Sequence, residues 1–122
     1  MAFALSTRPG SISTSVIDDP LVNETPQNNV GTGATVFFSV MINNTANPAQ
    51  DVYLKLWNHA SPTVGTTAAH TVLKGPAGKR RSYSIPEGIA FGTALSYACV
   101  TSAATAGDDA PTNDVSIIMQ IT

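Results

Sequence analysis

Residues 115–122 read Val-Ser-Ile-Ile-Met-Gln-Ile-Thr. Val115, Ile117, Met119 and Ile121 alternate with Ser116, Ile118, Gln120 and Thr122. That period of two is the signature of a strand, whose successive side chains point to opposite faces. The same pattern recurs earlier. Ala34, Val36, Phe38, Val40 and Ile42 alternate with Thr35, Phe37, Ser39 and Met41, and both sets are largely apolar, which predicts a central strand. Val52, Leu54 and Leu56 alternate with Tyr53, Lys55 and Trp57, the first set reading inward.

Weaker strand signals lie between these. Residues 67–74 are diluted by Ala68, Ala69 and His70; Arg81, Tyr83 and Ile85 form a short face; residues 94–101 carry Leu95, Tyr97 and Cys99 on one side. Between the strands stand clusters of turn-formers: 43–50, 58–65, 75–78 and 102–113. Ile85-Pro86-Glu87-Gly88 suits a type I turn, with Pro second and Gly fourth. The sum is seven or eight strands, with turn signals roughly every 8–12 residues, which predicts an antiparallel β-sandwich, immunoglobulin-like or jelly-roll.

Composition agrees with an all-β domain. The 122 residues include 15 Thr, 11 Ser and 8 Asn, and long helix-forming runs are absent. Charged residues make up 11%, against ~25% in a typical soluble domain. Three Lys and three Arg oppose six Asp and two Glu, for a net charge of −2. No basic field exists for a nucleic-acid backbone. No window approaches the ~18 apolar residues of a membrane-spanning helix, and no signal peptide is expected.

Residues 1–33 differ from the rest. They hold Pro9, Gly10, Asp18, Asp19, Pro20, Pro26, Asn28, Asn29, Gly31 and Gly33, with one alternating piece at Ile12, Thr14 and Val16. Two readings fit: an extended N-terminal arm with edge strands preceding a sandwich domain at 34–122, or a first strand of that domain plus a loose terminus.

Residues capable of chemistry are sparse. His59 and His70 lack the three or four closely spaced ligands of a zinc site. Cys99 lies mid-strand without the cation or base that makes a thiolate reactive, and as the single cysteine it forms no internal disulfide. Asp18–Asp19, and Asp108–Asp109 with Asp114, read as solvated loop carboxylates; no calcium-loop series occurs. No nucleophile elbow or phosphate loop is present. An enzyme would need His59 or His70 beside Asp108, Asp109 or Asp114; the expectation is no enzyme and no cofactor. Lys79-Arg80-Arg81 is the one basic cluster. It suits either pairing with acidic groups of a partner or a charged guard on an edge strand. Trp57, Tyr53 and Tyr97 suit either packing between sheets or a sugar-stacking platform.

The stretch 67–115 resembles small β-sandwich virion proteins of tailed bacteriophages, most of all capsid decoration (cement) proteins. The resemblance rests on Val72-Leu73, Gly75-Pro76-Ala77-Gly78-Lys79, Tyr83, Ile85 and Pro86, then Gly88-Ile89-Ala90-Phe91-Gly92-Thr93-Ala94-Leu95-Ser96-Tyr97, Thr101, and Asn113-Asp114-Val115 after a small-residue loop. It implies a structural protein on the outer surface of a virion head, with the major capsid protein and neighbouring copies of itself as partners, often as trimers. It implies no catalytic residue. On this reading Arg8, Ile12 and Val16 of the arm and Lys79, Arg80 and Arg81 are the expected partner-binding residues. The alternative from the residues alone is a carbohydrate-binding or adhesion module.

Overall fold

In the computed structural model, which describes residues 4–7 and 15–122, the chain is all-β, with no helix among the described residues. The described residues form eight strands: β1 (Ala4–Thr7), β2 (Ser15–Val22), β3 (Thr35–Asn43), β4 (Val52–Asn58), β5 (Thr71–Gly75), β6 (Arg80–Phe91), β7 (Leu95–Val100) and β8 (Val115–Ile121). Every pairing is antiparallel. One sheet has the order β1-β2-β8-β3-β6, the other β5-β4-β7.

The alternation read from the sequence sorts side chains as a two-sided sheet requires. Val115, Ile117, Met119 and Ile121 point inward from β8, and Phe37, Val40 and Ile42 from β3. They meet Leu54 and Leu56 of β4 and Leu95, Tyr97 and Cys99 of β7 in one shared core. β3 lies between β8 and β6, and β4 between β5 and β7, so the two most apolar stretches are inner strands.

Residues 23–30 run beside β7 without becoming a regular strand. The amide of Cys99 donates to the Asn23 carbonyl (2.8 Å), Gln27 exchanges both backbone bonds with Tyr97 (2.8 and 3.1 Å), and the Val30 amide donates to the Leu95 carbonyl (2.9 Å). Pro26 and the turn-forming asparagines interrupt the ladder; Asn29 and Thr32 have positive φ.

The structure departs from the expected boundary at residue 34. Ile17, Val22 and Val30 are buried in the same core as β3 and β8. β2 is no edge strand, since β1 and β8 flank it. The packing of residues 15–30 is that of a first strand of the domain. Arg8 and Ile12 lie outside the described residues.

Two local expectations are also corrected. Residues 85–88 are not a turn between strands. β6 runs through them, and they bulge where Phe38 alone separates Phe37 (opposite Ile89) from Ser39 (opposite Ser84). Gly88 has φ +79°, and an added Cβ would crowd Val36 and the Phe38 ring, so only glycine fits without strain. The strand expected at 67–74 begins at Thr71, because Thr66 and Thr67 turn back on the Thr63 carbonyl (3.1 and 2.9 Å).

Candidate partner-binding surface

The two sheets present different outer faces. On β4 the outward residues are Tyr53, Lys55 and Trp57, and the last two are buried. Lys55 Nζ donates to the carbonyls of Ala104 (2.6 Å) and Gly107 (3.0 Å), holding the 101–110 loop over the sheet. Burial pushes the Lys55 ammonium below the usual lysine range, opposed by Asp108. Trp57 Nε1 donates to the Thr67 carbonyl (2.9 Å), fixing the 59–70 loop over the same face. The smaller sheet is thus roofed by two loops, each tied down by a polar group of its middle strand.

Among the described residues, no loop roofs the larger sheet in this way. Its register aligns Asp18, Ile118, Met41 and Ser82 in one row across β2, β8, β3 and β6. The next row holds Val16, Gln120, Ser39 and Ser84, with Ser39 Oγ bonded to Gln120 Oε1 (3.2 Å). Ile118 is 42% exposed; Val16 and Met41 are half-buried. The face is apolar at its centre, with Asp18 on the β2 side and neutral polar residues around the rest.

One end of the molecule is locked by amide side chains. Asn44 and Asn47 are buried. Asn44 Nδ2 donates to the carbonyls of Gln50, Gly75 and Pro76 (2.8, 3.1 and 3.2 Å). Asn47 Nδ2 donates to Asn44 Oδ1 and to the Asn113 carbonyl (both 2.9 Å), and Asn47 Oδ1 accepts the Asn113 amide (2.8 Å). The Asn44 amide donates to the Lys79 carbonyl (2.9 Å). Three connections, 43–51, 75–79 and 112–114, are thereby fixed to one another.

From that locked turn emerges the basic cluster. Lys79, Arg80 and Arg81 are exposed, with Arg80 and Arg81 opening β6 at the edge of the larger sheet. Among the described residues one ion pair forms, Lys74 with Asp51 (3.4 Å), and it does not involve them. The Ala77 amide, donating to Asp51 (2.9 Å), holds that carboxyl below its ordinary value, and Lys74 adds to the effect.

The remaining candidates resolve as follows. Asp19, expected to be solvated, is fully buried and accepts the Tyr97 hydroxyl (2.7 Å) and the Leu21 amide (3.0 Å). Burial pushes the Tyr97 phenol above its usual range, and the bond to Asp19 adds to this. Trp57 and Tyr97 are buried, so they form no exposed sugar platform. Burial pushes the Cys99 thiol up to about 12, which suppresses the reactive thiolate. His70 tilts against buried Phe91 (ring centroids 4.7 Å), and His59 Nδ1 accepts the Ser61 amide (2.9 Å). No group of three His, Cys, Asp or Glu gathers among the described residues.

Sequence reading located the basic cluster but missed the uncovered face of the larger sheet. The alternation Ser116, Ile118, Gln120 against the core set already contained it; what it lacked was which sheet would be roofed. No family model, curated protein or solved structure matches this chain.

Proposed function

We propose that this chain is a structural virion protein that binds the outside of a tailed-phage head as a decoration (cement) protein. The observation that carries the proposal is the outer face of the larger sheet, which no described loop covers: it is low in charge, with Asp18 beside an apolar centre at Ile118, Met41 and Val16, and is backed by a closed core. Exposed Ile118 flanked by half-buried Met41 and Val16 gives this face an apolar centre on which a partner surface can close. Its neutral polar surround of Ser39, Ser82, Ser84 and Gln120 suits a wide, wet, hydrogen-bonded contact.

Strand order supports a jelly-roll reading over an immunoglobulin-like one. With residues 23–30 taken as an irregular strand beside β7, the layers are β2-β8-β3-β6 and (23–30)-β7-β4-β5. Each is a four-strand set whose members alternate between sheets along the chain, save for the β4–β5 pair, as two interlocked Greek keys require. That architecture recurs in viral capsid proteins and in lectins. The buried Trp57 and Tyr97 favour the first over the sugar-binding reading.

Attachment to a shell by this face stabilises it through mass action, because only the assembled lattice presents a site spanning subunits. The test is mass spectrometry of purified virions, followed by rebinding of the isolated protein to stripped heads. Recovery in stoichiometric amounts on heads is the expected result. Its absence from purified particles, or recovery with tails alone, overturns the proposal.

A further inference from the structure

We propose that the edge of β6 from Arg80 to Ser84 is a strand-addition site for an extended acidic segment of a partner protein. The inference stands apart from the virion reading, since it rests on the backbone edge of β6 and its cations, although Ser82 and Ser84 also border the sheet's outer face.

Among the described residues, one side of β6 has no strand paired to it in the ladder; β5 approaches it only through the Tyr83 hydroxyl, which donates to the Lys74 carbonyl (2.7 Å). Backbone groups along such an edge template the pairing of another chain. Beyond the ladder to β3, no backbone hydrogen bond joins residues 80–84 to another described segment. The window is bounded at both ends. Before it, the Asn44–Asn47–Asn113 network fixes the turn that delivers Lys79, with Gly78 bonded to the Asn47 carbonyl (2.9 Å) and Lys79 to the Pro76 carbonyl (3.2 Å). After it, the bulge at 85–88 and Pro86, which has no N–H, end regular pairing. What remains is a short, rigid edge whose ordering cost is met before a partner arrives.

Charge selects the occupant. Arg80 and Arg81 lie on this edge and Lys79 immediately precedes it; all three are exposed and lack an ion pair among the described residues. The protein as a whole is net negative, so this is a local reversal of sign. A second copy's β6 would bring the same cations to the same edge, and like charges across a ladder oppose pairing. An acidic strand gains charge-assisted hydrogen bonds from the guanidinium groups in addition to the ladder. Because alternate residues take opposite faces, an alternating strand whose acidic side chains stand beside Arg81 and Tyr83 places its uncharged ones beside Arg80, Ser82 and Ser84, the last two small and exposed.

The test uses the full-length protein and a short labelled peptide alternating Glu and Val. Two further versions carry N-methyl groups on alternate amides, one on each parity, because only every other amide of an added strand faces the ladder. Fluorescence anisotropy at low salt is expected to show binding, with about tenfold or greater loss for one methylated version and little for the other. The variant Lys79→Glu/Arg80→Glu/Arg81→Glu changes only exposed side chains and should lose about tenfold or more for the unmethylated peptide. Amides within 80–84 should gain protection from hydrogen exchange when the peptide is bound. Lack of binding at millimolar peptide, equal binding by both methylated versions, equal binding by a Lys–Val peptide, or dimerisation through β6 would each overturn the proposal.

Discussion

Asp19 and Tyr97 show how one buried polar pair constrains the fold. Asp19 sits 78 positions from Tyr97 in the chain, yet its Oδ2 accepts the phenol proton at 2.7 Å inside the core. Without the phenol, Asp19 Oδ2 is left buried without that donor, and only Oδ1 keeps a bond, from the Leu21 amide. Tyr97→Phe should therefore lower stability by about 1–3 kcal/mol. Tyr83→Phe, which removes an exposed hydroxyl bonded to the Lys74 carbonyl, should cost less than about 1 kcal/mol. Urea denaturation of the two variants side by side checks the difference; equal losses would refute the buried pair's role.

Cys99 sets an alkaline limit on stability. Its thiol is raised from 9.0 to about 12 by burial. The folded state keeps the proton while the unfolded chain releases it, so unfolding is favoured as pH rises above 9. The loss amounts to about 1 kcal/mol between pH 9 and 10 for this group. Tyr97, also raised, adds a loss of the same sign above 10. Lys55, whose value is lowered from 10.5, acts with the opposite sign: its destabilising contribution shrinks as pH climbs towards 10.5. Comparing native protein with Cys99→Ala isolates the thiol, because Lys55 is common to both. The stability gap between them should narrow by about 1 kcal/mol from pH 9 to 10 in urea melts. A constant gap would contradict the assignment.

At the scale of elements, β2 carries the sharpest consequence. Ile17 is fully buried in the shared core, and β2 joins β1 to β8. Ile17→Ala should cost about 2–5 kcal/mol, as for other core truncations, measured by thermal or urea unfolding. A separate arm would tolerate it within about 0.5 kcal/mol. β3, β4, β7 and β8 were legible in the sequence because their inward residues are apolar at period two. β2 was not, because Asp18-Asp19-Pro20 breaks the pattern, and the reason Asp19 is tolerated is a phenol from another strand. Pro20 is accommodated where the β2–β8 register shifts, and the Leu21 amide turns to Asp19 Oδ1 instead of the ladder. The bulge in β6 was hidden for a similar reason. Pro86 and Gly88 signal a break in regular pairing, and local sequence does not say whether that break ends a strand or kinks it. The roof over the smaller sheet was invisible too, since only the folded loops reveal that Lys55 and Trp57, both outward on β4, point under them.

For the whole molecule, the asymmetry between its two outer faces decides where a broad partner can sit. The smaller sheet's face is covered over β4 by its own loops, with Lys55 and Trp57 committed to their carbonyls, and only its β5 edge, with Val72 37% exposed, is left bare. No described loop covers the larger sheet's face, and Ile118 lies near its middle, between Asp18 on β2 and Met41 on β3. Ile118→Lys separates docking from folding. The side chain is already 42% exposed, and the new ammonium would stand beside Asp18, so stability should change by no more than about 0.5 kcal/mol. In a desolvated contact the cost of stripping water from the ammonium and the Asp18 carboxylate exceeds what their pairing returns, so the proposed affinity for the head should fall about tenfold or more. Thr105→Lys, on the exposed crest of the loop above the smaller sheet, should leave both unchanged. Sedimentation of each variant with stripped heads gives the readout. Equal decoration by Ile118→Lys and native protein would move the docking face away from the larger sheet, and a loss confined to Thr105→Lys would place it on the roofed side.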